Sequence, residues 1–397
     1  MSAGPGSELP LRNRTAIAGI GESDIGKLPH MSGLALTAQA AKRALDDAGL
    51  AVGDIDGLLT AYTLTEPFVM LGAVLCEYMG LKPRLCASMV AGGATPAILL
   101  GHAAAAIVTG RANCVLVCTG ENRASGVSRD TAVSALASSF GHPYFEYPYG
   151  NSIPGSYAMI ARRYMHEYGL TREQLAQVPV VTRRHAALHP NSHMKAPITV
   201  EDVIASKPIA SPLNLLDCCL ISDAAGACIV TSAARARDLA KPPVYLLGIG
   251  ERHTHEYIVS AESLVRFGVT ESGQDAYRMA GLGPDDIDIA QLYDCFSIVP
   301  ILELEELGFC KTGEGGEFYA AGHAALTGRL PVNTHGGMLS HAHAGATGGM
   351  LGLIEAVAQL RGECGERQAA RADTALVHNE GGILSSHCTA ILGREPR

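Results

Sequence analysis

Three histidines lie within one short glycine-containing stretch, at His335, His341 and His343. An imidazole titrates near neutral pH, so a histidine here could move a proton or polarise a carbonyl group; the alternative is a hydrogen-bonded histidine in the core. The cluster also raises the question of a metal site. No carboxylate or thiol lies nearby at ligand spacing, and the side chains of His341 and His343 would diverge unless the chain turns sharply. The sequence therefore predicts no bound metal.

A second group of polar side chains follows a short apolar run and begins at Tyr293. A phenol can donate a hydrogen bond to an enolate oxygen or, if its pKa is lowered, accept a proton; tyrosine is also a common buried aromatic residue. Asp294 comes next, and we interpret it as a residue that orients its neighbours.

The chain ends its last apolar strand with the sequence His378-Asn379-Glu380-Gly381-Gly382. Because glycine has no side chain, the backbone N–H groups of Gly381 and Gly382 can approach a carbonyl oxygen closely, as an oxyanion hole requires. His378 is either part of this site or packed at the strand end.

Composition limits the remaining possibilities. The chain has 397 residues, 47% of them hydrophobic, and a net charge of -9 with lysine and arginine scattered, so we expect a globular protein with no nucleic-acid role. Its eleven cysteines show no zinc-ribbon or Cys-x-x-Cys spacing and indicate the free thiols of a cytoplasmic protein. The uncharged stretch 87–110 contains glycine and proline, so it predicts a buried helix and no membrane span.

An internal duplication organises these residues. Gly93-Ala94-Thr95 recurs 252 positions later as Gly345-Ala346-Thr347, and each copy opens an apolar helical run that ends on a glycine. Ala48-Gly49-Leu50 recurs 232 positions later at 280–282. This pattern predicts one fold used twice, with two helix N-termini facing a single pocket.

Short apolar strands alternate with helical runs in both halves, which is typical of an α/β protein built from βαβ units and mainly parallel sheets. We expect strands at 15–21, 57–62, 114–119, 244–250, 289–293 and 374–377, and helices at 33–48, 271–280 and after Thr95 and Thr347. We divide the chain into a flexible arm, an N-terminal half that carries an inserted loop or lid, and a C-terminal half, at 1–14, 15–243 (insertion about 122–223) and 244–397.

Several ordered motifs together resemble the thiolase superfamily, specifically the sterol-carrier-protein-X thiolases and the thiolase-like lipid-transfer proteins. The resemblance extends from about Thr15 to Leu392 and is carried by Tyr293-Asp294-Cys295-Phe296-Ser297, Asn333-Thr334-His335-Gly336-Gly337, His343, Gly381-Gly382, and the segment from His185-Ala186 through Pro212 to Asp223-Ala224-Ala225. It implies a five-layer αβαβα fold, a homodimer, acyl-CoA ligands, no permanently bound cofactor and a possible small OB-fold or zinc-ribbon partner subunit.

The chain departs from this family where thiolases place their nucleophile. The cysteine expected at the start of the buried helix is Gly93, so no thioester can form there. The family's histidine motif implies a catalytic His343, and Tyr293 stands where related thiolases have histidine or asparagine. The terminal motif implies an acid–base group at His378 or Asn379. Thiolase-like aldolases that share the Gly-Gly replacement have a tyrosine at the position of His343.

These features predict an enzyme that makes or breaks a carbon–carbon bond beside a thioester, by retro-aldol-like cleavage of a β-hydroxyacyl-CoA. Tyr293, His343 and His378 would transfer protons, and glycine backbone would form the pocket for the thioester oxygen, at Gly93, Gly345, Gly381 and Gly382. The alternatives are an acyltransferase that uses another thiol, Cys86 or Cys295, and a non-catalytic acyl-CoA or lipid carrier.

Overall fold

The computed structural model describes residues 11–128 and 141–397. Most of the expected N-terminal arm, residues 1–10, and part of the expected insertion, residues 129–140, lie outside the described residues. The first half alternates strands with helices: β1 (Thr15–Glu22), α1 (Gly33–Ala48), β2 (Gly57–Ala61), α2 (Leu71–Met79), β3 (Leu85–Met89), α3 (Thr95–Val108) and β4 (Cys114–Asn122).

The expected insertion after β4 is more helical than its proline and glycine content indicates. Two long helices follow one another, α4 (Ile153–Tyr168) and α5 (Arg172–Leu188), and after them come the short elements α6 (Val200–Ala205), β5 (Pro208–Ala210) and β6 (Leu213–Asn214). Helix α5 begins at a capping box, in which the Thr171 hydroxyl accepts from the N–H of Gln174 and the Gln174 side chain accepts from the N–H of Thr171.

The rest of the chain returns to the first half and then repeats its order. The elements are β7 (Asp223–Ser232), α7 (Ala233–Ala236), β8 (Val244–His253), α8 (Val269–Ala280), β9 (Ile289–Gln291), α9 (Val299–Glu306), α10 (Gly315–Ala320), α11 (Thr347–Arg361), β10 (Thr374–Gly381) and β11 (Ser386–Gly393). Sequence patterning located ten of the helices and strands of the two repeats; among the elements that it did not place are β7 and β11, the last strand of each half.

Nine of the strands form one sheet in the order β3-β2-β4-β7-β1-β8-β11-β10-β9, in which β1 and β8 join the two halves, and β5 pairs separately with β6. The two halves match pair by pair: β2 is parallel to β3 and β4, while β7 pairs antiparallel with β4 and β1. In the second half β9 is parallel to β10 and bridges Val332, and β11 pairs antiparallel with β10 and β8. The expectation of mainly parallel sheets was therefore wrong, because β7 and β11 each return antiparallel.

Helices α3 and α11 pack against each other and against strands of both halves, so they form the central layer. Helix α1 covers β1, β4 and β7 on one outer face, and α8 covers β8 and β11 on the other. This arrangement is the five-layer α/β fold expected from the sequence. Within the described residues, no helix combines the length and the apolar character needed to cross a membrane.

Candidate active site

The turn before α3 packs directly on the end of β10, backbone against backbone. A Cβ atom on Gly92 would lie 2.8 Å from the Cα of Gly381 and 2.8 Å from the nitrogen of Gly382, and one on Gly381 would overlap the carbonyl oxygen of Ala91. Cβ atoms do not approach other atoms this closely, so both segments require glycine for their contact. The structure thus brings the predicted glycines of the two halves together.

Tyr293 fills the space beside Gly93. A Cβ atom on Gly93 would overlap the hydroxyl oxygen and two ring carbons of Tyr293. The phenol therefore lies where the side chain of a nucleophilic cysteine would stand at the start of the central helix. Gly93 and Tyr293, which are far apart in sequence, meet at one point.

The Tyr293 side chain is buried and its hydroxyl is not engaged by the described residues. Burial raises the pKa of Tyr293 well above its usual value, and the nearby Cys295 and Glu380 act in the same direction, so the phenol is neutral at physiological pH. The Tyr293 N–H donates to Glu303 at 2.8 Å, which fixes the backbone. Among the described residues the hydroxyl itself has no hydrogen-bond partner, and a neutral phenol is a proton donor.

The second central helix approaches the same point. A Cβ atom on Gly349, in the first turn of α11, would lie 2.6 Å from the carbonyl oxygen of Gly93 and would overlap the side-chain amide of Asn379. The helix starts at Thr95 and Thr347 are therefore neighbours, as the duplication predicts. Asn379 stands between them, with its amide nitrogen buried and unpaired in the part of the chain that the structure describes.

His378 does not join this group. Successive residues of a strand point to opposite faces, and Asn379 faces the central helices. His378 accordingly faces away, where its Nδ1 lies 2.8 Å from the Thr389 hydroxyl and its Nε2 lies 3.3 Å from Nδ1 of His387. Burial lowers the pKa of His378 well below its usual value. Asn379, the other residue that the motif allowed, is the one that lies beside the central helices.

His343 lies beside the start of α11, since a Cβ atom on Gly348 would come within 3.1 Å of its ring. Its Nδ1 lies 3.2 Å from the Cys219 thiol. Burial and the nearby guanidinium of Arg123 lower the pKa of His343 to about 3. The expectation of an imidazole that titrates near neutrality was therefore wrong: His343 is neutral at physiological pH and can exchange a proton only transiently.

Asp294 holds the turn that leads to His343. Its carboxylate accepts from the N–H of Met338 at 2.7 Å and from that of Leu339 at 3.4 Å, and a Cβ atom on Gly337 would overlap it. Burial raises the pKa of Asp294 to about 7. The carboxylate thus orients the backbone of the turn at Met338 and Leu339.

Gly345 makes room for an ion pair that the sequence did not reveal. With a φ of 60°, it could carry a side chain only with strain, and a Cβ atom there would lie 2.5 Å from Glu121 and 3.3 Å from Arg123. Arg123 and Glu121 form a buried salt bridge of 3.2 Å. Arg123 lowers the pKa of both Tyr293 and His343, so its charge faces both candidate catalytic groups.

Glu380 is a further acidic group of the site. Its Oε1 accepts from the Tyr157 hydroxyl at 2.7 Å and from the Cys295 thiol at 3.2 Å. Burial raises the pKa of Glu380 to about 7, and its charge acts on Tyr293. Glu380 was not singled out from the sequence, although it stands between Asn379 and Gly381.

The two thiols considered as replacement nucleophiles are poorly placed. Cys86 is exposed on the edge strand β3, 3.8 Å from the Cys76 thiol. Cys295 donates to Glu380, and burial raises its pKa well above the usual value. Cys219, which contacts His343, also has a raised pKa because it is buried. Burial therefore disfavours the thiolate form of Cys219 and Cys295, and Cys86 lies on the edge strand.

Comparisons with known proteins agree with this geometry. Residues 250–394 match the family described as "Thiolase C-terminal domain-like". The chain is 40% identical to the 17-hydroxy-3-oxo-4-pregnene-20-carboxyl-CoA lyase of Mycobacterium tuberculosis, over 89% of this chain and 92% of that protein. It is 39% identical to the steroid side-chain-cleaving aldolase of Thermomonospora curvata, over 89% of this chain and 91% of that protein. The chain belongs to the thiolase superfamily, within its sterol-carrier-protein-2 thiolase-like branch.

Solved structures lead to the same family. The structure titled "Ltp2-ChsH2(DUF35) aldolase" superposes with a TM-score of 0.85 at 37% identity and covers 96% of this chain and 98% of that one. A monomeric SCP2-thiolase-like protein from Mycobacterium smegmatis shares the fold. It superposes with a TM-score of 0.75 at 22% identity, over 97% of this chain and 78% of that one.

Proposed function

We propose that this chain cleaves a carbon–carbon bond of a β-hydroxyacyl-CoA by retro-aldol chemistry, with no acyl-cysteine intermediate. The observation that carries the proposal is the contact between Tyr293 and Gly93. At the start of the central helix, where a thiolase needs a nucleophile, this chain presents a neutral phenol. A phenol cannot form a thioester there, but it can supply a proton to an enolate.

The thioester oxygen is assigned to the glycine contact. Gly93, Gly381 and Gly382 bring backbone close together without side chains, so N–H groups of this segment can face an oxyanion. Gly345 contributes differently, by leaving room for Arg123. The guanidinium favours the negative charge that develops on the thioester as the bond breaks.

The proton steps then balance as follows. His343, neutral because its pKa is low, accepts the proton of the substrate's β-hydroxyl group while the bond between the α and β carbons breaks. The β carbon leaves as a ketone or aldehyde, and the bonding electrons form the acyl-CoA enolate. Tyr293 gives its proton to the α carbon, and the imidazolium returns the proton of the hydroxyl group to the tyrosinate. The low pKa of His343 makes this return favourable.

The substrate class follows from the relatives. Two relatives near 40% identity are named for lyase or aldolase reactions on steroid side chains, one of them explicitly on a carboxyl-CoA. Our first candidate substrate is therefore a CoA thioester whose acyl group is attached to a polycyclic ring system that leaves as a ketone. Coenzyme A enters as part of the substrate, and Asp294 and Asn379 serve as positioning residues.

Two alternatives make different predictions. An acyltransferase is suggested by a 33% identical acetyl-CoA acetyltransferase of Methanothermobacter thermautotrophicus, but the thiols Cys86, Cys219 and Cys295 lack activating surroundings. A carrier without activity would bind acyl-CoA and release it unchanged. The polar groups gathered around Gly93 argue against the carrier.

We also propose that two copies of the chain associate through β3. This edge strand exposes Cys86, Ala87 and Ser88, and large apolar residues beside it are exposed, including Val69, Met70 and Val90. An unpaired apolar edge is a template for pairing with another strand. A small DUF35-type partner is proposed by analogy with the related aldolase complex, and the free thiols favour a cytoplasmic location.

The test is turnover. The purified chain, alone and with a candidate partner subunit, is incubated with β-hydroxyacyl-CoA substrates that carry linear or polycyclic groups, and products are measured by mass spectrometry. Our proposal requires a carbonyl product and a shortened acyl-CoA in equal amounts, with no acyl adduct on any cysteine. An adduct on Cys86, Cys219 or Cys295 would favour the acyltransferase, and tight binding without products would favour the carrier.

A further inference from the structure

A cavity of about 680 Å³ lies apart from the proposed active site and opens to solvent. Its walls come from the end of β1, the loop after α5, the segment before α11 and α11 itself. Three imidazoles, four carboxylates and two arginines line this cavity; the ones used below are His189, His335, His341, Glu22, Glu355 and Arg367. Neither Tyr293 nor His343 lines it. The proposed function leaves these residues without a role.

Glu22, His189 and His341 meet at the centre of this group. The Nε2 of His341 lies 3.2 Å from Oε2 of Glu22, and the Nε2 of His189 lies 3.9 Å from Oε1 of the same carboxylate. One ligand atom of each of the three residues lies within 4.8 Å of the others. Ligand atoms around a tetrahedral zinc ion lie about 3.3 Å apart, so the His341–Glu22 pair already has this spacing.

Hydrogen bonds hold the ring of His341 between a hydroxyl group and the carboxylate. The Ser192 hydroxyl donates to the carbonyl oxygen of His335 at 3.3 Å and lies 2.9 Å from Nδ1 of His341. In the tautomer that carries the ring proton on Nδ1, the lone pair of Nε2 points at the Glu22 carboxylate, which is the arrangement needed to bind a metal ion between them.

The Asn191 side chain holds the Glu22 carboxylate in place. The Asn191 amide donates to Oε1 of Glu22 at 2.9 Å and to the carbonyl oxygen of Ser23 at 2.9 Å. Outer hydrogen bonds of this kind orient the ligands of a metal and raise its affinity. Arg367 does not take the place of a metal, because it is paired with Glu355 at 3.1 Å.

His335 provides an independent observation. It is only 4% exposed, and its Nδ1 is buried without a hydrogen-bond partner among the described residues. Its ring lies edge-on to that of His341, with the ring centres 5.1 Å apart. A buried imidazole nitrogen with no partner is costly unless something binds it.

We propose that Glu22, His189 and His341 bind a divalent transition-metal ion, with His335 beside them as a further nitrogen donor. Two imidazoles and a carboxylate suit zinc, and water from the open cavity can complete its coordination. One local change is needed: the Nδ1 of His189, which accepts from the Asn191 N–H at 3.1 Å, must take the ring proton when Nε2 binds the metal.

The ion would join three segments that are far apart in sequence, one of which leads to His343. Glu22 ends β1, His189 follows α5, and His341 ends the turn that leads to His343 two residues later. Binding would therefore order the segment that carries His343 without touching the substrate. The inference does not depend on the proposed function, since its readout is metal bound by the chain.

The test uses the full-length chain stripped with a chelator and titrated with zinc and cobalt(II). We expect one ion per chain, an increase in melting temperature with zinc and the visible absorption of tetrahedral cobalt. Glu22→Gln and His341→Gln should each weaken binding by more than about tenfold, as even outer-ligand changes do at metal sites. His253→Gln is the matched control, because His253 pairs with Glu251 at 2.7 Å on the surface.

Equal zinc affinity in the wild type and in both ligand variants would overturn the proposal, as would a stoichiometry below about one ion in ten chains. Circular dichroism of the metal-free variants distinguishes lost ligation from lost folding. If His341→Gln does not fold, Glu22→Gln and His189→Gln decide the result, because glutamine is isosteric with Glu22 and His189 lies just beyond the end of α5.

Discussion

The Tyr293 hydroxyl and Gly93 share one volume, because the phenol occupies the space in which any side chain on residue 93 would begin. A side chain on residue 93 therefore requires Tyr293 to move. A cysteine at position 93 would collide with Tyr293, and removing the tyrosine would leave a cavity at the start of α3. The loss of the usual nucleophile and the gain of the phenol are therefore one structural change.

This coupling predicts the outcome of a double-mutant cycle. Gly93→Ala should destabilise the protein by about 1–3 kcal/mol, since it overpacks a buried contact. In a Tyr293→Ala background the same change should cost much less, giving a coupling energy of about 1 kcal/mol or more. Urea denaturation measures each free energy of unfolding. Gly53→Ala is the control, because a Cβ atom there meets nothing within 4 Å; additive effects at Gly93 and Tyr293 would contradict the shared volume.

Tyr293→Phe should separate activity from stability. The hydroxyl has no partner in the described part of the chain, so its removal should change the free energy of unfolding by less than about 0.5 kcal/mol, whereas kcat should fall by about 10²–10⁴-fold. Tyr277→Phe should do the opposite, because that hydroxyl donates to the carbonyl oxygen of Leu307 at 3.1 Å, far from the glycines. Steady-state kinetics and urea denaturation on both variants check this. An unchanged kcat for Tyr293→Phe would remove the phenol from the mechanism.

The raised pKa of Glu380 predicts that activity falls on the alkaline side of the pH–rate profile. Its pKa is raised to about 7, so it is neutral below this pH and charged above it. The charged form raises the pKa of Tyr293 further and makes the phenol a weaker proton donor. Activity should therefore fall as pH rises through about 7, and Glu380→Gln should remove this fall.

The control for Glu380 is another buried acid with a similar pKa. Glu306 also has a pKa raised to about 7, but it accepts from Phe267 and Thr270, away from Tyr293. Glu306→Gln should leave the profile unchanged. A profile that keeps its alkaline limb in Glu380→Gln would assign the limb to a different group, with Asp294 as the next to test.

The fold was largely predictable because hydrophobic periodicity and helix caps are local. Helix α1 was placed at its observed bounds, with Ser32 capping its start and Gly49, at φ 69°, ending it. Strands β7 and β11 were missed because they carry no such local signal. Each is an almost fully buried run without an alternating pattern, and each pairs antiparallel with a strand far away in sequence.

The site was only partly predictable, because contacts between distant residues leave no spacing to read. Family motifs identified Gly93 and Tyr293, but not that one fills the space of the other. The motifs did not distinguish His378 from Asn379, because the two residues differ only in the face of the strand to which their side chains point. Arg123 and Glu380 gave no motif signal, and Glu22, 319 residues before His341, could not be seen as its carboxylate partner.

His185 should make the protein less stable in acid. Burial lowers its pKa to about 4, whereas an unfolded histidine has a value near 6.5. The unfolded state therefore binds the proton first, and this contribution to stability is present above pH 6.5 and is lost as pH falls toward 4, by about 3 kcal/mol in all. Acids with raised pKa, such as Glu380, act in the opposite sense, so the difference between wild type and variant is the quantity to measure.

His185→Asn keeps a donor for the carbonyl oxygen of Asn333, which His185 contacts at 3.2 Å, and removes the titration. Urea denaturation at several pH values should show that the advantage of the wild type over this variant shrinks between pH 6.5 and 4. His102→Asn, at an exposed position on α3, is the control and should leave the pH dependence unaltered. A parallel pH dependence in His185→Asn and the wild type would contradict the assignment.

The exposed edge at β3 predicts the oligomeric state. Val69 is fully exposed and Val90 is 70% exposed, and both flank a strand with an unpaired edge. If a second copy covers this edge, Val69→Lys with Val90→Lys should convert a dimer into a monomer, because burying two unpaired ammonium groups is unfavourable. Light scattering coupled to size exclusion measures the mass. Val259→Lys, at a position 55% exposed near α8, should leave the dimer intact. A wild-type monomer, or a dimer that persists in the double variant, would move the interface elsewhere.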